Sequence, residues 1–268
     1  MRSVMRNKGA GVMAKTPLVQ SVNRAIDILE LLNKERSLGI TQIGQALGLE
    51  KTTVFRLLQT LCARGYVRQD LSTQMYSETM KLFDMGIRMV DSHGLLKKAR
   101  PHIEALAMST RETVNLAVLD GRNIVYVDKV ESSEVIKADL GVGRSFPAYA
   151  TSLGKSILAL LTDNQLGLLY KGETFIPLTS ATVSGLEDLK EQIREIRIRG
   201  YASDDEELVQ GLSCIGAAIR DFKGAPVAAV SAAFPSYRFP INSPERQQMA
   251  ELIKRAAQSI SIELGFLE

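Results

Sequence analysis

The 268-residue sequence has no tryptophan, two cysteines, two histidines and eight prolines. Cys62 and Cys214 are 152 positions apart, and His93 and His102 are the only histidines. No Cys/His array has the spacing of a zinc site, so no metal is expected. No window approaches the roughly 18 consecutive apolar residues of a membrane helix. The most apolar stretch, Val227 to Phe234, has the length of a strand and is interrupted by Ser231. The opening MRSVMRNKGAGVMAKTP carries basic groups without the apolar region of a secretory signal. A soluble, cytoplasmic protein with no membrane partner is expected. There is no internal repeat and no low-complexity tract.

What is present is ordinary in sum and uneven in distribution. Hydrophobic residues make up 45% and charged residues 24%, as in a globular chain, and the length suits two domains. The net charge is +3, yet residues 1–90 hold 13 Lys and Arg against 7 Asp and Glu, a net of +6. Residues 91–268 therefore carry −3. A basic third beside a slightly acidic remainder points to a polyanion partner for the first part only.

Residues 1–19 show no periodicity and read as a tail. Ser21 is placed to cap an amphipathic helix with Val22, Ala25, Ile26, Leu29 and Leu32 on its inner stripe. Thr41 opens a short helix bearing Ile43, Ala46 and Leu47, and Gly48 breaks it. A second helix over about Lys51–Ala63 turns Val54, Leu57, Leu58 and Leu61 inward. Two short helices around a glycine turn are the pattern of a helix-turn-helix. Tyr66–Asp70 and Gln74–Ser77 read as a hairpin, hence a wing. From Thr79 to about Val90 apolar residues spread round most of a helix, which predicts a linker buried against a partner.

Beyond Gly94 the spacing predicts a helix through Leu106, then strands at Val114–Val118 and Ile124–Val130 joined at Asp120-Gly121, and a third strand at Val135–Leu140. A loop with Gly141, Gly143 and Pro147 leads to a helix over about Thr151–Leu161 and a short one after it. Ser184-Gly185-Leu186-Glu187 has capping-box spacing before a helix with Leu189, Ile193, Ile196 and Ile198. Strands follow at Tyr201–Ser203, Ser213–Arg220 and Val227–Phe234, and Ser243-Pro244 starts a last helix. The fold class is α+β. The expected divisions are a tail at 1–19, a DNA-binding domain at 20–78, a linker helix at 79–93 and a further domain at 94–268.

On the second short helix Thr52, Arg56 and Gln59 lie opposite the inward Val54, on the side open to a groove. Arg can pair bidentately with guanine, Gln with adenine, and Thr can reach a phosphate or a thymine methyl. Lys51 and Thr53, near the helix start, are placed for phosphate or base-edge contact. A solvated face would look the same on an isolated helix. The charge, the paired helices and the hairpin in this order point to DNA.

These segments resemble the IclR family of bacterial transcriptional regulators. The resemblance runs through SVNRAIDILELL, GITQIGQALGLEKTTVFRLLQTLCARGYV, ARPHIEALAMSTRETVNLAVLDGRNIVYVDKVES, YATSLGKSILA and GYASDDEELVQGLSCIGAAIRD to the final helix, roughly residues 20–268. It implies a winged helix-turn-helix, a linker helix and a GAF-like effector-binding domain with a mostly antiparallel sheet flanked by helices. It also implies dimers or tetramers on double-stranded operators with inverted repeats. By position, Thr53 and Arg56 match recognition-helix residues, and Arg24 and Thr41 match supporting DNA contacts. Thr52 and Phe55 stand where the family varies, so no operator sequence carries over.

In the second domain Ala150–Lys155 lies where a loop enters a helix, a place that favours an anion such as a carboxylate. The resemblance implies an effector site with backbone donors at Ser152 and Leu153, a polar contact from Asp204, then Cys214, and Ser231 with Ala233 on a strand. Plainer readings are a buried apolar Cys214, a solvated acidic run Asp204–Glu207 and a Ser231 satisfied within a sheet. No cofactor is expected. Ser152-x-x-Lys155 has the spacing of an acyl-transfer nucleophile and base, but no K-T-G or S-D-N accompanies it. Gly154-Lys155-Ser156 ends like a P-loop, yet Tyr149 stands where the first glycine is required. A regulator, not an enzyme, is the expectation. A second domain that only oligomerises is the alternative.

Overall fold

The computed structural model describes residues 18–91, 94–134 and 141–267. The chain forms two compact units that divide between Arg88 and Met89. The expected α+β class with an N-terminal winged helix-turn-helix is the one observed.

The first unit contains α1 (Gln20–Glu35), α2 (Ile40–Leu47) and α3 (Lys51–Ala63), then β1 (Val67–Gln69) and β2 (Tyr76–Glu78). Its core is Ile28, Leu32, Ile43, Val54, Leu58, Leu61, Val67 and Tyr76. The inward stripe of α1 differs from the expected one: Ile28 and Leu32 are buried, while Val22 and Ile26 are 55% and 47% exposed. Apolar residues occupy more than half the circumference of α1, so periodicity alone does not choose the face. Packing against α3 and β2 selects the side of Ile28 and Leu32. Ser21 lies within the first turn; the N-cap is Val19, without a side-chain bond.

Thr41 is likewise inside α2, whose N-cap is Gly39. The N–H of Gly39 donates to Gln42 Oε1 at 2.8 Å. Gly44, not the exposed Ala46, is buried beside Ile43. A Cβ at Gly44 would sit 2.8 Å from the carbonyl oxygen of Leu49, so the turn between α2 and α3 closes only over a glycine. Gly48 completes that turn at φ +64°.

β1 and β2 pair antiparallel, with Gln69 opposite Tyr76, and form the expected wing. Asp70 Oδ1 closes its turn by accepting the backbone N–H groups of Ser72 at 2.8 Å and Thr73 at 3.1 Å. A bridge that the sequence does not announce joins Leu38 to Tyr76. Each N–H donates to the other's carbonyl, at 3.0 and 2.9 Å. The next helix, α4 (Lys81–Val90), buries none of its residues, and Phe83, Met85 and Met89 are exposed.

In the second unit α5 (Leu95–Thr110) leads to β3 (Thr113–Asp120), β4 (Asn123–Val130) and β5 (Ser145–Pro147). Three helices follow, α6 (Ser152–Leu158), α7 (Asp163–Leu169) and α8 (Leu186–Arg199). Then come β6 (Ala202–Asp205), β7 (Leu212–Arg220), β8 (Pro226–Pro235) and α9 (Pro244–Glu263). The strands make one antiparallel sheet in the order β5-β4-β3-β8-β7-β6. Against one face α5 and α9 pack on Val114, Leu116, Ile215, Ala217, Ile219, Val230, Ala232 and Phe234. The other face, with Ala117, Tyr126, Ala202 and Ala229, meets Leu153 and Ile157 of α6 and Leu189 and Ile193 of α8.

Several local readings are corrected. α5 continues to Thr110 instead of ending at Leu106, with Pro101 as its seventh residue. Burial of Leu106 and Ala107 in the core holds this last stretch helical. Ser145–Pro147, expected in a loop, pairs with β4 as an edge strand. α6 stops at Leu158; Thr151 is its N-cap and accepts the N–H of Gly154 at 3.0 Å. No capping box forms at Ser184, because its hydroxyl bonds the Asp188 carboxylate and Gly185 takes the cap position. Ile198 is 88% exposed. The strand expected at 135–140, the tail at 1–17 and His93 lie outside the described residues. His102 Nε2 meets Glu263 Oε1 at 2.7 Å, a contact between α5 and α9. No described helix is long and apolar enough to cross a membrane.

Candidate functional site

Two places gather the residues singled out by sequence. The first is the outer side of α3. Val54, Leu58 and Leu61 anchor the helix inward, which leaves Lys51, Thr52, Arg56 and Gln59 exposed and Thr53 half-buried at the edge. Phe55, 47% exposed, borders the same side. Thr41 is exposed on α2, and Arg24 is half-buried on α1. Among the described residues no carboxylate pairs with Arg56 or Lys51, so both cations remain available to an external anion. A basic helix face with short polar side chains, held by an apolar core and followed by a wing, suits a DNA major groove.

The second lies on the sheet face toward α6. Strand register aligns Asp204 with Cys214, Cys214 with Ala233, and Ala233 with Thr113. One row along, Ala202, Gly216, Ser231 and Asn115 align in the same way. Side chains two apart on a strand share a face, so Asp204, Cys214, Ser231 and Ala233 all point to one side. Their neighbours Ile215 and Ala232 face the opposite core. A Cβ on Gly216 would lie 3.0 Å from the carbonyl carbon of Ser152 and 3.1 Å from the nitrogen of Leu153. The start of α6 therefore rests directly on the sheet at Gly216, which brings Ser152 and Leu153 to the same row as Ser231.

The four sheet residues are nearly inaccessible, Asp204 at 1% and Cys214 at 5% exposure. The solvated reading of the acidic run thus fails for Asp204 and for Glu207, because β6 extends past Ser203 and carries Asp204 into the sheet. Burial pushes the Asp204 carboxyl up to about 7, with Lys155 opposing and Glu207 reinforcing the shift. Asp204 Oδ1 accepts the backbone N–H groups of Glu207 at 2.7 Å and Leu208 at 3.3 Å. Burial likewise raises Glu207, and the Cys214 thiol is pushed far up, chiefly by desolvation. Cys214 is accordingly a small apolar wall and no thiolate.

Sequence reasoning missed three members of this cluster. Lys155, 0% exposed, reaches from α6 to an ion pair with Glu207 and donates to Gln192 Oε1 at 2.6 Å. Glu207 is the second. Asn115 is the third: it is 1% exposed, and among the described residues neither its Oδ1 nor its Nδ2 has a hydrogen-bond partner. The alternating pattern of Val114, Leu116 and Val118 places Asn115 on the second face of β3. Only the central position of β8, covered on both sides, shows that this face is interior.

The enzyme-like spacings have structural explanations. Lys155 Nζ is engaged by Glu207 and Gln192, while Ser152 Oγ has no partner among the described residues, so nucleophile and base are not joined. Gly154 serves packing: a Cβ there would fall 2.2 Å from the Ala148 carbonyl oxygen. An open cavity of about 640 Å³ lies elsewhere in this unit, among Leu178, Ser213, Tyr237 and Arg246. Arg246, its cation, is already paired with Asp205.

Comparison with known proteins covers both units of the chain. Residues 21–71 match the model of the IclR helix-turn-helix domain, and residues 87–262 match that of the bacterial transcriptional regulator IclR C-terminal domain. The HTH-type transcriptional regulator KdgR of Escherichia coli is 34% identical over 249 residues, spanning 92% of this chain and 94% of that one. The crystal structure of the Thermotoga maritima IclR superposes with a TM-score of 0.79 at 29% identity, covering 92% of this chain and 99% of that one. An IclR homolog from Microbacterium hydrocarbonoxydans, solved in complex with 4-hydroxybenzoate, shares the fold at a TM-score of 0.76 and 21% identity. That likeness covers 91% of this chain and 98% of the other. The relatives are named as transcriptional regulators, which agrees with a regulator and not with an acyl-transfer enzyme. The chain belongs to the IclR family of bacterial transcriptional regulators.

Proposed function

We propose that this regulator acts in the cytoplasm, binds inverted-repeat operators as a dimer or tetramer, and changes its operator affinity when a small carboxylate occupies its C-terminal domain. In this reading residues 20–78 bind DNA, 79–93 link, and 94–268 sense. The observation that carries the sensing role is the strand register: Asp204, Cys214, Ser231 and Ala233 converge on one buried face against the start of α6. A domain serving only to oligomerise gains nothing from polar groups buried without partners. The relative from Microbacterium hydrocarbonoxydans holds a carboxylate, 4-hydroxybenzoate, which supports the ligand class. Backbone donors of Ser152 and Leu153 and the Ser231 hydroxyl would receive the carboxylate.

On α3, Arg56 and Gln59 read base edges, Thr52 and Thr53 contact methyl or phosphate groups, and Lys51, Thr41 and Arg24 hold the DNA backbone. The apolar side chains exposed on α4 would meet the second protomer. Because the ligand must prefer one of two states to have any effect, its coupling to DNA is reciprocal.

A thermal-shift screen of small carboxylates tests the sensing role, since a ligand at 100 times its Kd adds about 2.7 kcal/mol. A flat response across the screen would defeat it. Arg56→Ala should lower operator discrimination by about 1–3 kcal/mol in footprinting while ligand shifts persist. Unaltered sequence preference would show that α3 enters the groove by another side.

A further inference from the structure

A buried side-chain amide with both ends unmet is expensive, and native proteins rarely keep one without a reason. Asn115 is in that position, in a sheet where several of the buried sites on the same face are filled by alanine and glycine, at Ala117, Ala202, Gly216, Ala229 and Ala233. Any small residue would complete this surface without the loss. Its place is equally specific: Asn115 stands directly across from Ser231, and Ser231 across from Gly216, on which Ser152 rests. Ser152, whose Oγ is also buried and without a partner among the described residues, rests its backbone on the same row. A strand and the start of a helix thus each bring an unmet polar side chain to the neighbourhood of Ser231.

We propose that Asn115 is a specificity-determining residue of the effector site, and that its side-chain amide hydrogen-bonds a neutral oxygen substituent carried by the carboxylate ligand. The proposal rests on the sensing role argued above and extends it to the ligand's second polar group. A carboxylate received between Ser152 and Ser231 would lie one to two strand spacings from β3, roughly 5–10 Å between backbones. The Asn115 side chain shortens that gap. The ligand is then a short acid with a hydroxyl or carbonyl oxygen a few bonds from the carboxylate. An amide can donate to either and accept from a hydroxyl.

The test compares matched acids on the full chain, by calorimetric titration and thermal shift: acetate with glycolate, propionate with lactate, and butyrate with 3-hydroxybutyrate. In the wild type at least one hydroxylated member should bind up to about tenfold tighter than its parent, the worth of one added hydrogen bond. Asn115→Leu, alike in branching though bulkier, should erase that preference and retain the parent acid. Asn115→Ala provides the same comparison should the leucine variant fold poorly. Equal binding within every pair, or a preference that survives in the variants, overturns the role of Asn115 alone. Absence of binding by all six acids overturns the small-carboxylate reading on which it rests. A ligand-free Tm lowered by more than about 5 °C in both variants also overturns it, since the amide would then be serving the fold.

Discussion

Three consecutive residues of β7 set the two faces of the sheet against each other. Ile215 points into a core dominated by apolar side chains from α5, α9 and the strands, with Ser213, Arg246 and Ser261 buried at its margins. Cys214 and Gly216, on either side of it, face the layer where Asp204, Ser231, Asn115 and Lys155 are buried. The first face is tuned for stability, since apolar burial contributes without needing partners. The second holds charges and amides that an apolar set would replace at a gain in stability. Buried groups of this kind concentrate on one side of the sheet, and such a concentration is the kind of local inconsistency that functional sites show, which is why the sensing role is proposed for that side.

The sharpest way to break this comparison is Lys155→Met. It leaves Glu207 buried without its cation, and chemical denaturation should register a loss of about 3–5 kcal/mol. Lys155→Met combined with Glu207→Leu should recover most of it. A double variant as unstable as the single one would mean that the ion pair does not account for the loss.

Asp204→Asn comes next and has a sign. The Asp204 carboxyl titrates near 7 in the fold, against 3.8 when unperturbed, so the folded state binds more protons between those values. Its contribution to stability is fully present below pH 4 and is lost as pH rises to about 7. The asparagine variant should keep the bonds to Glu207 and Leu208 through its Oδ1, be more stable than wild type at pH 8, and show a flatter profile between pH 4 and 7. Parallel profiles would contradict the buried-carboxyl account. Small carboxylates should also bind less tightly at pH 8 than at pH 6, because a charged Asp204 faces them.

Gly216→Ala is the third, at about 1–3 kcal/mol, as the new methyl forces Ser152 and Leu153 away from the sheet. It should weaken carboxylate binding as well as stability. Ile215→Val closes the series at roughly 0.5–1.5 kcal/mol, with carboxylate binding unaltered. If binding fell as much for Ile215→Val as for Gly216→Ala, the two faces would not be functionally distinct.

Sequence made the winged domain legible almost in full, because its helices are short, glycine-punctuated and followed by a tight hairpin. What it misplaced was the rotation of α1, where too many apolar positions compete for the inner side. In the second unit the first hairpin was readable from alternation at Val114–Val118 and the turn at Asp120-Gly121, whereas the edge strand Ser145–Pro147 and the pairing of β3 with β8 were not. The interior polar cluster was only half visible. Asp204 and Ser231 entered through resemblance to a family, whereas Asn115, Lys155 and Glu207 look on their own like solvated positions. Their burial is decided by which strands become central, a property of long-range pairing that no local window contains.

The bridge between Leu38 and Tyr76 gives the wing an unexpected stiffness. Its two reciprocal hydrogen bonds fasten the second wing strand to the residue just before the N-cap of α2. A hairpin hung only from its own turn would swing freely, and its amides would exchange with solvent as fast as those at Ser72 and Thr73. Here the strand is riveted to the frame that carries the helix-turn-helix. A push on the wing would be passed through this bridge to the base of α2, so the hairpin and the helix-turn-helix are coupled in the way a single rigid tool would be.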